Sequence, residues 1–156
     1  MLAKDIMETK VITLRKEATI KEIGEMMIEH GISGFPVVDG ENRVLGVVSE
    51  LDLMRKEIKP NEPNLWLVCV WGVNNQKKIQ EYIDGTRKCM AKTADEIMTS
   101  PAITVDEMDD IETVGKHMFA DKIKRVFVTK EGKLTGVISR SAFIKLLLSQ
   151  DMENKA

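Results

Sequence analysis

Asp5-Ile6-Met7-Glu8-Thr9-Lys10-Val11-Ile12-Thr13-Leu14 returns later in the chain as Glu96-Ile97-Met98-Thr99-Ser100-Pro101-Ala102-Ile103-Thr104-Val105. Ile6 and Ile97 set the offset at 91 residues, and it holds through Ile20/Ile111, Ile23/Val114, Gly24/Gly115, Met27/Met118 and Ile32/Ile123. One residue is then missing from the second copy's turn, so Gly46-Val47-Val48-Ser49 meets Gly136-Val137-Ile138-Ser139 at an offset of 90. Self-similarity kept in order over this length means one structural unit used twice. The expectation is an α+β protein of two tandem β-α-β-β-α motifs about a pseudo-two-fold axis. Clefts between such motifs are natural ligand sites.

Each motif has about 55 residues, too few to bury much core alone, so the two are expected to fold against one another. The hydrophobic share of 43% and charged share of 31% are those of a soluble globular protein. A net charge of −2 speaks against a general nucleic-acid binder. Cys69 and Cys89 make no disulfide framework, and with His30 and His117 they show no metal-ligand spacing. No metal site and no required cofactor are expected. The N-terminus lacks a signal-peptide pattern, and the longest apolar run, 65–73, is far short of the roughly 20 residues of a membrane helix. A cytoplasmic protein without a membrane segment is expected.

The first motif, 1–56, reads as a short strand over 10–14, then a helix opened by Thr19 with Glu22 as a capping box. Ile20, Ile23, Met27 and Ile28 form that helix's apolar stripe. A buried strand follows over 35–39, then a turn at Gly40-Glu41-Asn42, a strand over 44–49 and a helix from Glu50 to about Glu57. The second motif, 93–150, repeats the pattern. It has a strand over 103–105, a helix marked by Ile111, Val114, Met118 and Phe119, a hairpin over 126–139 and a helix over 142–148. A tail, 151–156, ends the chain. Gly24 and Gly115 sit mid-helix at matching positions, each costing about 1 kcal/mol against Ala. That cost, incurred twice, predicts a helix contact too close for a side chain. The connector 57–92 matches neither copy. It holds both tryptophans, Trp66 and Trp71, in an apolar run that is either packed on the core or a surface for a second subunit. It also holds a predicted short helix over 77–84, and beyond it Thr93 with Glu96 is expected to cap another.

Gly46-Val47-Val48-Ser49-Glu50-Leu51-Asp52 carries the chemistry. Ser-x-x-Asp at a strand-to-helix junction is an ordinary capping box. The same junction suits a nucleotide, because free N–H groups at a helix start favour phosphate and an Asp one turn in accepts both hydroxyls of a ribose. The motif alone leaves both readings open. No Ser/His/Asp order, Cys–His pairing or phosphate-binding glycine loop suggests catalysis, so the chain is not expected to be an enzyme. Asp109-Asp110 reads as a helix N-terminus.

Repeat and motif together resemble a tandem pair of cystathionine-β-synthase (CBS) domains, also called a Bateman module. The resemblance rests on Ile6-Met7-Glu8-Thr9, Gly34-Phe35-Pro36-Val37-Val38-Asp39 and 46–52 in the first copy. In the second it rests on Ile97-Met98-Thr99, Arg125-Val126-Phe127-Val128-Thr129-Lys130 and 136–142. It covers nearly the whole chain except 57–92.

The resemblance implies a regulatory module that binds AMP, ADP, ATP, S-adenosylmethionine or a relative in the cleft between the motifs. It would be a homodimer that passes occupancy to an effector protein. Asp52 would hold the ribose hydroxyls, and Ser49 would reach phosphate or ribose. Ile12, Thr13 and Leu14 would line the adenine slot opposite Ser33, Gly34, Phe35 and Pro36. The second copy departs from the pattern: it keeps Ser139 but has Ala142 in place of the Asp, and Lys124-Arg125 in place of Ser33-Gly34. Lys124, Arg125 and Arg140 are then candidates for phosphate, Arg having the planar fork that suits it. The rival reading, supported by Ala142, is an interaction scaffold with an empty cleft.

Overall fold

The computed structural model describes residues 1–57 and 76–153. The apolar 65–73 run, with its expected contact surface, lies outside them. The fold is α+β, with two three-stranded sheets of order β1-β2-β3 and β4-β5-β6. In chain order the described elements are α1 (Ala3–Ile6), β1 (Leu14–Arg15), α2 (Ile20–His30), β2 (Gly34–Val38), β3 (Val44–Ser49), α3 (Glu50–Glu57) and α4 (Gln76–Met90). There follow α5 (Ala94–Ile97), β4 (Thr104–Asp106), α6 (Ile111–Ala120), β5 (Arg125–Lys130), β6 (Lys133–Ser139) and α7 (Arg140–Glu153). In the second sheet β4 runs parallel to β5 and β5 antiparallel to β6.

The chain forms two compact units, and they are not the two repeats. One comprises Leu14–Val37 and Gly46–Ser100; the other comprises Met1–Thr13, Val38–Leu45 and Pro101–Ala156. The leading segment of each repeat therefore belongs with the sheet of the other copy.

In the first unit, Thr19 opens α2 as expected. The Glu22 carboxylate accepts the Thr19 backbone N–H at 2.7 Å and its hydroxyl at 2.8 Å, while Thr19 Oγ1 accepts the Glu22 N–H at 3.3 Å. The Thr19 backbone bond, then the hydroxyl bond, hold the Glu22 carboxyl below its ordinary value. Gly31, at φ 62°, ends the helix in the left-handed conformation that glycine adopts at no steric cost. Ile23 is fully buried, with Leu14, Phe35, Val37, Val48, Ala91, Ala94 and Ile97.

The stripe holds in part. Ile28 is 86% exposed and its repeat equivalent Phe119 is 89% exposed. Each lies five positions after the buried anchor of its helix, Ile23 or Val114, which is about 140° around an α-helix and off the core face. The strand expected over 10–14 is only Leu14–Arg15. Val11 instead closes a local turn onto the Thr9 carbonyl at 3.1 Å. The short connector helix is the 15-residue α4. It continues through Gly85, packed on α3, and Lys56 bonds the carbonyls of Cys89 (3.1 Å) and Ala91 (2.8 Å) at its end. Thr93 does not cap α5 with its side chain. The Glu96 carboxylate takes the Lys92 N–H instead, at 2.6 Å, and Thr93 pairs with Thr19.

The second unit is built alike. Its core of Val105, Val114, Met118, Val126, Val128 and Ile138 includes Ala3, with Ile6 and Met7 packed against it. Asp110 caps α6, its carboxylate accepting the Thr113 N–H at 2.8 Å. The shortened turn of this copy places Glu131 (φ 51°) and Gly132 (φ 78°) in the left-handed region, which lets two residues join β5 to β6.

Glycines mark where the segments close. A Cβ on Gly46 would stand 2.7 Å from Met98 Sδ and 2.8 Å from the Thr99 carbonyl oxygen; one on Gly136 would stand 2.5 Å from Met7 Sδ. The mid-helix pair divides. At Gly115 a Cβ would meet the Phe143 ring at 2.8 Å, as expected, whereas at Gly24 the equivalent Leu53 is 3.7 Å away, an ordinary contact. Gly24→Ala should therefore raise stability by up to about 1 kcal/mol through helix propensity. Gly115→Ala and Gly46→Ala should lower it by about 1–3 kcal/mol through overpacking. Gly136→Ala should fall in the same range, because Met7 Cβ, at 2.9 Å, is held by the backbone pair of Glu8 with Val137 as the Thr99 carbonyl is by Val47. Urea midpoints of the four variants check this order.

Candidate functional site

The junction from β3 to α3 presents Asp52 to the interior of the first unit, 3% exposed. A carboxylate taken out of water needs bonds on all sides. Asp52 Oδ2 accepts the Ser49 backbone N–H and hydroxyl, both at 2.8 Å. Oδ1 accepts the Thr99 hydroxyl at 3.2 Å and the ammonium of Lys88, with which it forms an ion pair. Lys88 Nζ also donates to Thr99 Oγ1 at 3.0 Å, closing a triangle.

The elements explain the placement. Ser49 ends β3, and the Ser33 carbonyl, just before β2, receives the Glu50 N–H at 2.9 Å. Gly34 lies against Val48 and Ser49, where a Cβ would be 3.4 Å from the Val48 carbonyl oxygen. Thr99 is held by a reciprocal backbone pair with Val47, at 2.9 and 3.0 Å. Lys88 arrives from the last turn of α4.

Of the residues expected at the site, Leu14, Ser33, Gly34, Phe35, Pro36, Ser49 and Asp52 belong to the first unit. Leu14, Phe35 and Pro36 have fully buried side chains there, so any ligand contact by them is through backbone. Ile12, Thr13, Lys124, Arg125, Ser139 and Arg140 belong to the second unit.

There, Arg125 pairs with Ser139 across β5 and β6, and the Lys124 carbonyl receives the Arg140 N–H at 2.9 Å. Ser139 Oγ accepts the Ala142 N–H at 3.2 Å, so the serine still caps its helix without the carboxylate. The Arg140 guanidinium donates to the Ile123 carbonyl at 2.9 Å.

Sequence reasoning missed Lys88 and Thr99. Thr99 stands in the repeated Ile-Met-Thr opening and was in reach of it. Lys88 carried no signal, being 36 residues from its partner in the connector. Among the described residues no group of three His, Cys, Asp or Glu could hold a metal. No helix there is long and apolar enough to cross a membrane.

The sequence model of the CBS domain matches residues 3–59 and 94–149. Protein MJ1225 of Methanocaldococcus jannaschii is 28% identical over 92% of this chain, which spans 42% of that protein's length. Among solved structures, CBSX2 in complex with AMP superposes with a TM-score of 0.79 at 21% identity, over 95% of this chain and 97% of that one. The CBS domain pair of MJ0100, in complex with 5-methylthioadenosine and S-adenosyl-L-methionine, gives 0.67 at 22%, over 96% and 98%. Both likenesses are of fold.

Capping alone would make Asp52→Ala cost about 1 kcal/mol. The ion pair raises the expected loss to about 3 kcal/mol, since the variant strands a largely buried ammonium. Urea unfolding followed by circular dichroism should show it, with Asp52→Ala/Lys88→Met less destabilised than the sum of its single variants.

Proposed function

The chain belongs to the CBS domain family, and we propose that it is a regulatory, non-catalytic module that binds an adenine nucleotide or other adenosyl ligand and passes occupancy to a partner. The observation that carries the reading is the Ser49–Asp52 junction. A carboxylate costly to bury is kept beside a helix start at the position where the family motif places its ribose contact. The AMP, 5-methylthioadenosine and S-adenosylmethionine complexes of similar folds support an adenosyl ligand. In this reading Asp52 takes the ribose hydroxyls and Ser49 lies beside them. Ile12, Thr13 and Leu14 are assigned to the base together with Ser33, Gly34, Phe35 and Pro36, and the cations Lys124, Arg125 and Arg140, with the Ser139 hydroxyl, are assigned to phosphate. Ala142 favours the rival reading, an interaction scaffold, for the second copy only.

AMP, ADP, ATP and S-adenosylmethionine should be compared by thermal shift and calorimetry. A true ligand at 100 times its Kd stabilises by about 2.7 kcal/mol. Asp52→Asn should abolish that gain. Lys124→Ala with Arg125→Ala should weaken AMP more than adenosine. No shift from any of the four leaves the scaffold reading.

The proposal includes a homodimer. Ile28 and Phe119 occupy equivalent positions of the repeat and are both almost fully exposed, as are to a lesser degree the equivalents Met54 (57%) and Ile144 (49%). Single exposed apolar residues are common, but their recurrence in both copies supports a covered face. Ile28→Glu with Phe119→Glu should give a folded monomer in sedimentation velocity. A persisting dimer would place the interface elsewhere.

A further inference from the structure

The bonds at Asp52 leave no place for a ribose. A carboxylate offers about four lone-pair positions, and all four are taken, two by Ser49, one by Thr99 and one by Lys88. The Ser49 bonds are local and set the start of α3. Oδ1 is the atom open to exchange, and the strong donor on it is the Lys88 ammonium. Lys88 is also the donor best placed to leave. Its side chain is 14% exposed against 4% for Asp52, so it is the partner nearer to solvent. It comes from α4, which lies between the two family-matched segments. The last turn of α4 is fastened to α3 at three points: Lys88 to Asp52, Cys89 Sγ to the Arg55 carbonyl at 3.4 Å, and Lys56 to the Cys89 and Ala91 carbonyls.

We propose that Lys88 is a latch on the ribose site. It holds Oδ1 of Asp52 where a ribose hydroxyl would bind, so an adenosyl ligand enters by displacing it and thereby loosens the end of α4 from α3. The proposal rests on the adenosyl reading of the site and adds its regulation. Ligand and lysine compete for one oxygen, so occupancy and release of the α4 end are the same event seen from two sides. A ligand shifts this equilibrium only because it binds the open state, and its apparent Kd exceeds the intrinsic one by the inverse of the open fraction. The Cys89 and Lys56 contacts do not involve Asp52 and remain, so displacement of Lys88 loosens the final turn without detaching it.

Adenosine is the suitable probe, because it carries the ribose and no phosphate that could attract Lys88. Its affinity should be measured by calorimetry on the full chain and on Lys88→Met. A latch open less than about one time in ten predicts binding at least about tenfold tighter in the variant. Lys88→Gln, which keeps a polar end without the charge, should gain in the same direction if Lys88→Met folds poorly. Hydrogen exchange on the wild type needs no substitution: adenosine should speed exchange at the C-terminal turn of α4. Adenosine binding equally well or more weakly to the lysine variants, or slowing exchange in that turn, overturns the latch and leaves the adenosyl reading standing. Absence of binding by wild type and variants alike, with AMP and S-adenosylmethionine failing too, overturns both.

Discussion

Each unit is closed by a methionine lying on a glycine of the other repeat, and the rest of the structure depends on that contact. Met98 crosses Gly46, and Met7 crosses Gly136, with no room for a Cβ in either place. The surrounding pattern is the same in both units. Val47 pairs with Thr99 as Val137 pairs with Glu8, and Thr19 meets Thr93 as Asp110 meets Leu2. Ala94 and Ala3 are equivalent and both fully buried. The exchange explains why a motif of about 55 residues can hold a core: its sheet is covered by a segment that the other repeat supplies.

The exchange also builds the candidate site. Thr99 reaches Asp52 because the Ile97-Met98-Thr99 segment belongs to the first unit. The equivalent of Thr99 in the other unit is Glu8, and the equivalent of Asp52 is Ala142. The first unit thus has a buried carboxylate surrounded by donors. The second has a serine cap beside Lys124, Arg125 and Arg140. Two copies of one motif have diverged in charge at equivalent positions, Asp52 against Ala142 and Ser33-Gly34 against Lys124-Arg125.

Much of this was legible because it depends on local spacing. Thr19 and Glu22 are three residues apart, so their reciprocal cap could be read directly, as could β3, which spans Val44–Ser49, and α3 after it. The structure departs from the expected pattern where helix phase or a neighbour distant in sequence decides. Ile28 and Phe119 are apolar and near helical spacing, yet lie off the face that the sheet covers. Gly24 and Gly115 look alike, but a leucine faces one and a phenylalanine ring the other. The helix expected over 77–84 runs on to Met90, packed on α3.

The sequence by itself determined the repeat, the α+β elements, the family and the Ser49-x-x-Asp52 motif. Each is a pattern in the order and spacing of side chains along one chain, and order and spacing are what a sequence contains. Only the tertiary structure decided which segment completes which sheet and what Asp52 binds. Those outcomes depend on residues 36 to 52 positions apart, Lys88 with Asp52 and Val47 with Thr99, meeting in space. The charge on Lys88 was visible from the start. Its partner was not, because a buried ion pair is fixed by the packing that excludes water around it, and that packing belongs to the folded chain.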